Sequence, residues 1–72
     1  MLSKGSLLKK FGDKVREERG NMSQGELATK AGLHINYIGR LERGEACPSI
    51  YIVYKIALAL HIRSSDLIGS FN

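Results

Sequence analysis

The chain has 72 residues, the size of one small domain, and 43% of them are hydrophobic. Neither an apolar run of about 18 residues nor a signal-peptide pattern occurs in it, so no membrane-spanning or secreted protein is expected. The single cysteine, Cys47, cannot form an internal disulfide, which favours a reducing, cytoplasmic setting. We interpret it as an incidental loop thiol, with a redox sensor as the alternative.

The formal net charge of +4 is compatible with a nucleic-acid partner and also with an ordinary solvated surface. Its distribution is uneven, because residues 1–22 carry +3 whereas residues 23–49 sum to zero. Lys4, Lys9 and Lys10 belong to this basic N-terminal part. We expect them on a solvated face, and an electrostatic contribution to DNA binding is the alternative.

A first amphipathic helix is predicted over residues 6–19. Apolar residues recur at spacings of three to four, with Leu7 or Leu8 followed by Phe11 and Val15. Gly12 inside this helix costs roughly 1 kcal/mol relative to alanine. Gly20 follows as the stop.

Two short helices separated by a tight turn are predicted over residues 24–43. Ser23 and Glu26 have the spacing of a capping box, so the first of these helices should begin at Gln24 and run to Ala31. Gly32 supplies a left-handed residue that ends it. The second helix is predicted over 35–43, with Ile38 and Leu41 on its inner face. This arrangement is a helix-turn-helix.

The same stretch resembles the DNA-binding domains of phage repressors and Cro proteins, the XRE-like family. The resemblance runs through Ser23–Gln24, Glu26–Leu27–Ala28, Ala31–Gly32, Ile38, Leu41–Glu42–Arg43–Gly44 and Pro48–Ser49. Residues 34–45, HINYIGRLERGE, are most similar to the controller proteins of restriction–modification systems. The resemblance implies an all-α fold, a compact five-helix bundle of the lambda-repressor type, with residues 1–72 as one DNA-binding domain.

The second helix of a helix-turn-helix lies in the major groove and its N-terminal residues reach base edges. Four residues are predicted to face outward and contact bases: Ile35, Asn36, Gly39 and Arg40. Arg40 is the leading candidate because arginine pairs bidentately with guanine, and Asn36 suits adenine or a phosphate. Phosphate contacts are predicted for Gln24, Asn36, Tyr37 and Arg43. For Gln24 the family resemblance and its place at a helix N-terminus agree.

Glu42 is acidic on a surface that should meet DNA, so a structural role is expected for it. In the repressors that the chain resembles, the matching glutamate pairs with an arginine of the first helix. By that resemblance Arg16 is the predicted partner of Glu42, and Arg19 is the alternative.

A fourth helix is predicted over residues 50–60 after the Ser49 N-cap, and a short fifth helix from Ser64 or Ser65 to about Ile68. Ile50, Val53, Ile56, Ala57 and Leu60 should face the core. A second stripe, formed by Tyr51, Tyr54, Leu58 and His61, is more apolar than a monomer surface needs. We therefore predict a homodimer through residues 50–68, with these positions, Ile62 and Leu67 at the seam. Coverage of this face by the fifth helix and the tail is the alternative.

The function predicted is that of a dimeric, sequence-specific transcription regulator, located in the cytoplasm with the nucleoid and bound to double-stranded DNA at a roughly palindromic operator. The resemblance suggests a restriction–modification controller, with a phage-type repressor as the near alternative within the same class. The alternative is an antitoxin-like or other protein-binding module. An enzyme is not expected, because His34 and His61 lack acid, serine or cysteine partners and Cys47 lacks metal-ligand spacing. Neither a metal, a cofactor nor a small-molecule ligand is expected.

Overall fold

Five α-helices make up residues 3–69, the part of the chain that the computed structural model describes. They are α1 (Lys4–Arg19), α2 (Gln24–Ala31), α3 (Ile35–Glu42), α4 (Ile50–Ala59) and α5 (Ser64–Ile68). Within residues 3–69 no strand occurs. The all-α, five-helix prediction is confirmed, whereas the predicted tail at 70–72 lies outside the described residues.

Serine side chains set where three of the helices begin. Ser3 accepts a hydrogen bond from the Ser6 amide, so α1 begins at Lys4, two residues before the predicted start. Ser23 and Glu26 form the predicted capping box of α2. Ser49 accepts from the Ile52 amide at 3.2 Å, which fixes the start of α4 as predicted.

Each helix contributes a fully buried side chain to one core. The largest of these are Val15, Leu27, Ile38, Leu41, Ile56 and Leu67. The prediction that Leu67 lies at a dimer seam is therefore wrong. Because α5 packs against both α1 and α4, its one inward leucine, Leu67, lies in the core of the monomer.

A glycine lets α1 and α3 cross closely. A Cβ at Gly12 would lie 2.5 Å from the carbonyl oxygen of Leu41 and 2.6 Å from that of Glu42, distances that a carbon atom does not tolerate. Gly12 therefore lowers the helix propensity of α1 but lets α1 pack closely against the end of α3. This packing places Glu42 beneath α1.

The outer surface of α4 is apolar. Tyr51, Tyr54 and Leu58 are 64%, 54% and 61% exposed. Ile50 was expected in the core but is 87% exposed, since it is the first residue of α4 and the buried stripe begins one turn later, at Val53. Among residues 3–69, none of the helices has the length and hydropathy needed to cross a membrane.

Candidate nucleic-acid interface

The turn between α2 and α3 is held by backbone and side-chain hydrogen bonds. Gly32 adopts the left-handed conformation (φ 67°), and the Leu33 amide donates to the Ala28 carbonyl at 2.8 Å. His34 is the N-cap of α3, where its Nδ1 accepts from the Asn36 amide at 3.1 Å. The acceptor role of Nδ1 leaves the neutral ring with its proton on Nε2.

The face of α3 that points away from the core carries Asn36 and Arg40, and Arg43, the C-cap residue, continues that face; all three are exposed. Their opposite neighbours Ile38 and Leu41 are fully buried, as predicted. This places one amide and two guanidinium groups along the accessible side of the second helix. All three are groups that bind base edges or phosphates.

Ile35 and Tyr37 both lean on neighbouring parts of the protein. Ile35 is 47% exposed, and its Cδ1 lies 3.5 Å from where a Cβ of Gly25 would be, so it leans on the start of α2. Tyr37 is partly buried against the core, and that burial raises the pKa of its hydroxyl. Both remain predicted contacts.

The prediction that Gly39 faces outward is wrong. Gly39 is buried, and a Cβ there would lie 3.2 Å from Nη1 of Arg43 and 3.8 Å from Oε1 of Gln24. The side chains of two predicted phosphate contacts therefore lie over this glycine. They meet there because position 39 turns toward the N-terminus of α2.

Glu42 connects three helices. Its carboxylate accepts from Nε and Nη2 of Arg19 at 2.8 and 3.0 Å, and from Nε2 of Gln24 at 3.0 Å. The Glu42 side chain is only 3% exposed and that of Arg19 only 14%. Arg19 also donates to the Met22 carbonyl at 2.7 Å, which ties down the segment before α2.

Arg16 is therefore the wrong partner, and the alternative, Arg19, is the one that binds. Arg16 is exposed and acts on Glu42 only through its charge. Burial by itself would raise the pKa of the Glu42 carboxyl, but the hydrogen bonds from Arg19 and Gln24 and the two arginine charges bring that pKa below its ordinary value. Glu42 is thus a buried anion that orients the Gln24 amide.

Glu45 holds both arginines of the exposed face. Its carboxylate accepts from Nε and Nη2 of Arg43 at 3.0 and 3.2 Å. Its backbone carbonyl accepts from Nη2 of Arg40 at 3.2 Å. The hydrogen bond from Arg43 lowers the pKa of the Glu45 carboxyl.

This geometry is that of a helix-turn-helix with a polar outer face on its second helix, and the family comparison agrees. The sequence profile of the helix-turn-helix family HTH_3 matches residues 14–67, which span the last part of α1, all of α2, α3 and α4, and α5 up to Leu67. The chain belongs to this family. Because proteins of this family are DNA-binding transcription regulators and not enzymes, the class predicted from the sequence is confirmed.

Similar proteins include restriction–modification controllers. Control protein C.BamHI from Bacillus amyloliquefaciens is 43% identical over 61 residues, which cover 81% of this chain and 75% of that protein. An uncharacterised HTH-type transcriptional regulator of Archaeoglobus fulgidus is 41% identical over 56 residues, covering 75% of this chain and 80% of that one. The crystal structure of the restriction–modification controller protein C.AhdI from Aeromonas hydrophila has a TM-score of 0.81 at 40% identity, with coverage of 83% and 94%. The predicted resemblance to controller proteins is confirmed.

Two features of this helix-turn-helix protein were not predicted from its sequence. One is the hydrogen bond from Gln24 to Glu42, which was hidden because the two residues lie on different helices. The other is the pairing of Glu45 with Arg43, for which opposite charges two residues apart were the only signal.

Proposed function

We propose that this regulator binds, as a homodimer, a roughly two-fold symmetric operator upstream of its own gene, and acts as the controller of a restriction–modification system. The DNA contacts would come from α3 and the start of α2. The observation that carries this proposal is the exposed row of Asn36, Arg40 and Arg43 on the second helix of the motif. The similarity to C.BamHI and C.AhdI supports the controller role.

The predicted contact residues would have different roles in DNA binding. Arg40, at the middle of the exposed face, suits bidentate binding to guanine, and Asn36 one turn earlier suits adenine. Ile35 offers an apolar contact to a thymine methyl. Gln24, Tyr37 and Arg43 would bind phosphates and so fix the register of the protein on the duplex.

The apolar stripe on α4 supports dimerisation. Tyr51, Tyr54 and Leu58 are spaced three and four residues apart, and exposed patches of this kind mark interfaces. His61 extends the stripe and is exposed, whereas Ile62 is partly buried against the core and would contribute only its edge. A two-fold dimer would set its recognition helices about 34 Å apart, one turn of the duplex.

A dimeric regulator can be controlled by its own concentration, because dimerisation and operator binding are coupled by mass action. The proposal places the protein in the cytoplasm with the nucleoid, where its operator lies.

The test is a binding titration with the duplex upstream of the gene and with a scrambled duplex of equal length, across a salt series. We expect the upstream duplex to bind about 10³-fold more tightly or better, with affinity falling by a log–log slope near −0.9 per phosphate neutralised. Two chains per duplex are expected. Weak and equal binding to both duplexes, together with a monomer in sedimentation, would instead favour a module that binds another protein through α4.

A further inference from the structure

A negative charge lies among the positive charges of the proposed DNA face. Glu45 follows α3 by three residues, and its carboxylate binds the Nε–Nη2 edge of Arg43 through both oxygens. The two side chains are 53% and 60% exposed, so they form a surface pair that a ligand can reach.

The remaining acid of this region does not compete for Arg43. Glu42 is buried and already occupied by Arg19 and Gln24. Glu45 therefore offsets one of the two cationic charges that Arg40 and Arg43 present to solvent.

The edge of Arg43 that Glu45 occupies is one of the two guanidinium edges that can bind a phosphate through two hydrogen bonds. Arginine binds carboxylates and phosphates through the same fork of two parallel N–H groups. A phosphate that takes the Nε–Nη2 edge must displace Glu45. A phosphate that takes the Nη1–Nη2 edge instead leaves two anions beside one guanidinium.

We propose that Glu45 is an intramolecular counterion that competes with the DNA backbone for Arg43 and so sets the strength of operator binding. This inference rests on the proposed function, since it takes Arg43 as a phosphate contact. Phosphate contacts carry no sequence information. Glu45 therefore weakens binding to the operator and to other DNA by the same factor, and it leaves their ratio unchanged.

This competition should be visible in how the affinity for DNA depends on salt. A cation that neutralises a DNA phosphate releases condensed counterions and steepens the salt slope by about 0.9. In the parent protein Arg43 exchanges one anion for another, so its share of that release is reduced. Removing the Glu45 charge restores it.

The experiment compares the parent with Glu45→Gln, Glu45→Asp, Arg43→Ala and the Arg43→Ala/Glu45→Gln double variant on the upstream and scrambled duplexes, across a salt series. Glu45→Gln should bind both duplexes roughly two- to fivefold more tightly, as expected for an exposed ion pair, with a slope steeper by up to about 0.9. Glu45→Asp keeps the charge and should behave like the parent. In the Arg43→Ala background the gain from Glu45→Gln should fall by at least half.

Glu17→Gln is the matched control, because it removes one exposed acid from α1, where Glu17 is 73% exposed and 3.9 Å from Lys14. A gain equal to that of Glu45→Gln would show that only net charge matters, and it would overturn the proposal.

Three further outcomes would also overturn it. If Glu45→Gln weakens binding to the upstream duplex alone, Glu45 itself reads a base. If Glu45→Gln matches the parent in affinity and slope on both duplexes, the pair has no part in binding. Failure of the parent to bind either duplex would reject the proposed function, and the role of Glu45 with it.

Discussion

Gly12 of α1 lies directly against the backbone of Leu41 at the end of α3, with room for a hydrogen atom but not for a methyl group. A Cβ at position 12 would be 2.5 Å from the Leu41 carbonyl oxygen, and that atom cannot swing aside as a side chain can. This close contact explains why position 12 is a glycine, although helix propensity alone disfavours glycine there. It also brings α1 near enough for Arg19 to reach Glu42.

Gly12→Ala should therefore destabilise the protein, although the same change in an open helix stabilises it. We expect the free energy of unfolding to fall by about 1–3 kcal/mol, the usual cost of overpacking, less the propensity gained. Urea denaturation followed by circular dichroism measures it. Gly5→Ala in the first turn of α1 is the control, since nothing lies within 4 Å of its Cβ, and it should be neutral or slightly stabilising. Equal effects of both changes would contradict the close crossing.

The pairing of Glu42 with Arg19, and not with Arg16, gives a second prediction. Arg19→Ala leaves the buried Glu42 carboxylate without its charge partner and should cost about 3–5 kcal/mol, which brings a small domain close to unfolding. Arg19→Lys keeps the charge without the two-pronged geometry and should lose less. Arg16→Ala removes an exposed side chain and should stay within about 0.5 kcal/mol. Thermal melts of the three variants rank these losses, and a larger loss for Arg16→Ala would restore the partner predicted from sequence.

The pH dependence of stability should contain a step from Glu42. Its pKa in the folded state is below the ordinary 4.5, so the unfolded chain binds the proton more readily. The contribution of Glu42 is complete above about pH 4.5 and is lost as the pH falls through the lower, folded-state value. Glu45 and Asp66 also have lowered pKa values, so the step is isolated as the difference between the parent and Glu42→Gln. The difference in the free energy of unfolding between the parent and Glu42→Gln should become smaller as the pH falls from about 6 to about 3. A difference independent of pH would mean that folding leaves the pKa of Glu42 unchanged, and a difference that widens as the pH falls would mean that folding raises it.

The features that sequence predicted correctly are those set by neighbouring residues. The Ser23–Glu26 capping box and the Ser49 cap depend on hydrogen bonds across three residues, so spacing alone identifies them. The outer face of α3 follows from Ile38 and Leu41 in the same way.

The features that were missed depend on how helices pack. Arg16 and Arg19 are one helical turn apart, and only the position of α1 along α3 decides which of them reaches Glu42. The five residues of α5 are too few to reveal by periodicity that Leu67 faces inward. The sequence predicts Gly39 outward because a glycine carries no hydrophobic signal, although the side chains of Arg43 and Gln24 lie over it.

The proposed dimer seam predicts a variant that separates assembly from folding. Leu58 is 61% exposed in the monomer, so Leu58→Glu should preserve the helical circular dichroism spectrum while placing a charge at the seam. Sedimentation should show a monomer at concentrations where the parent is a dimer, and operator affinity should fall with it. Leu7→Glu, at a leucine of α1 that is 39% exposed, is the control and should leave the dimer intact. A Leu58→Glu dimer as tight as the parent would place the seam elsewhere.

Gly39→Ala should separate stability from DNA binding. The new methyl would meet Nη1 of Arg43 at 3.2 Å, and this end of a flexible, exposed side chain can move away at small cost. The helix gains up to about 0.8–1 kcal/mol in propensity, so the melting temperature should rise. Operator affinity should fall a few-fold, because the methyl displaces the Arg43 guanidinium from its position over the glycine, next to Gln24, whose Oε1 stays at an ordinary contact distance of 3.8 Å. A more stable variant that binds the operator as tightly as the parent would show that the space at position 39 serves neither contact.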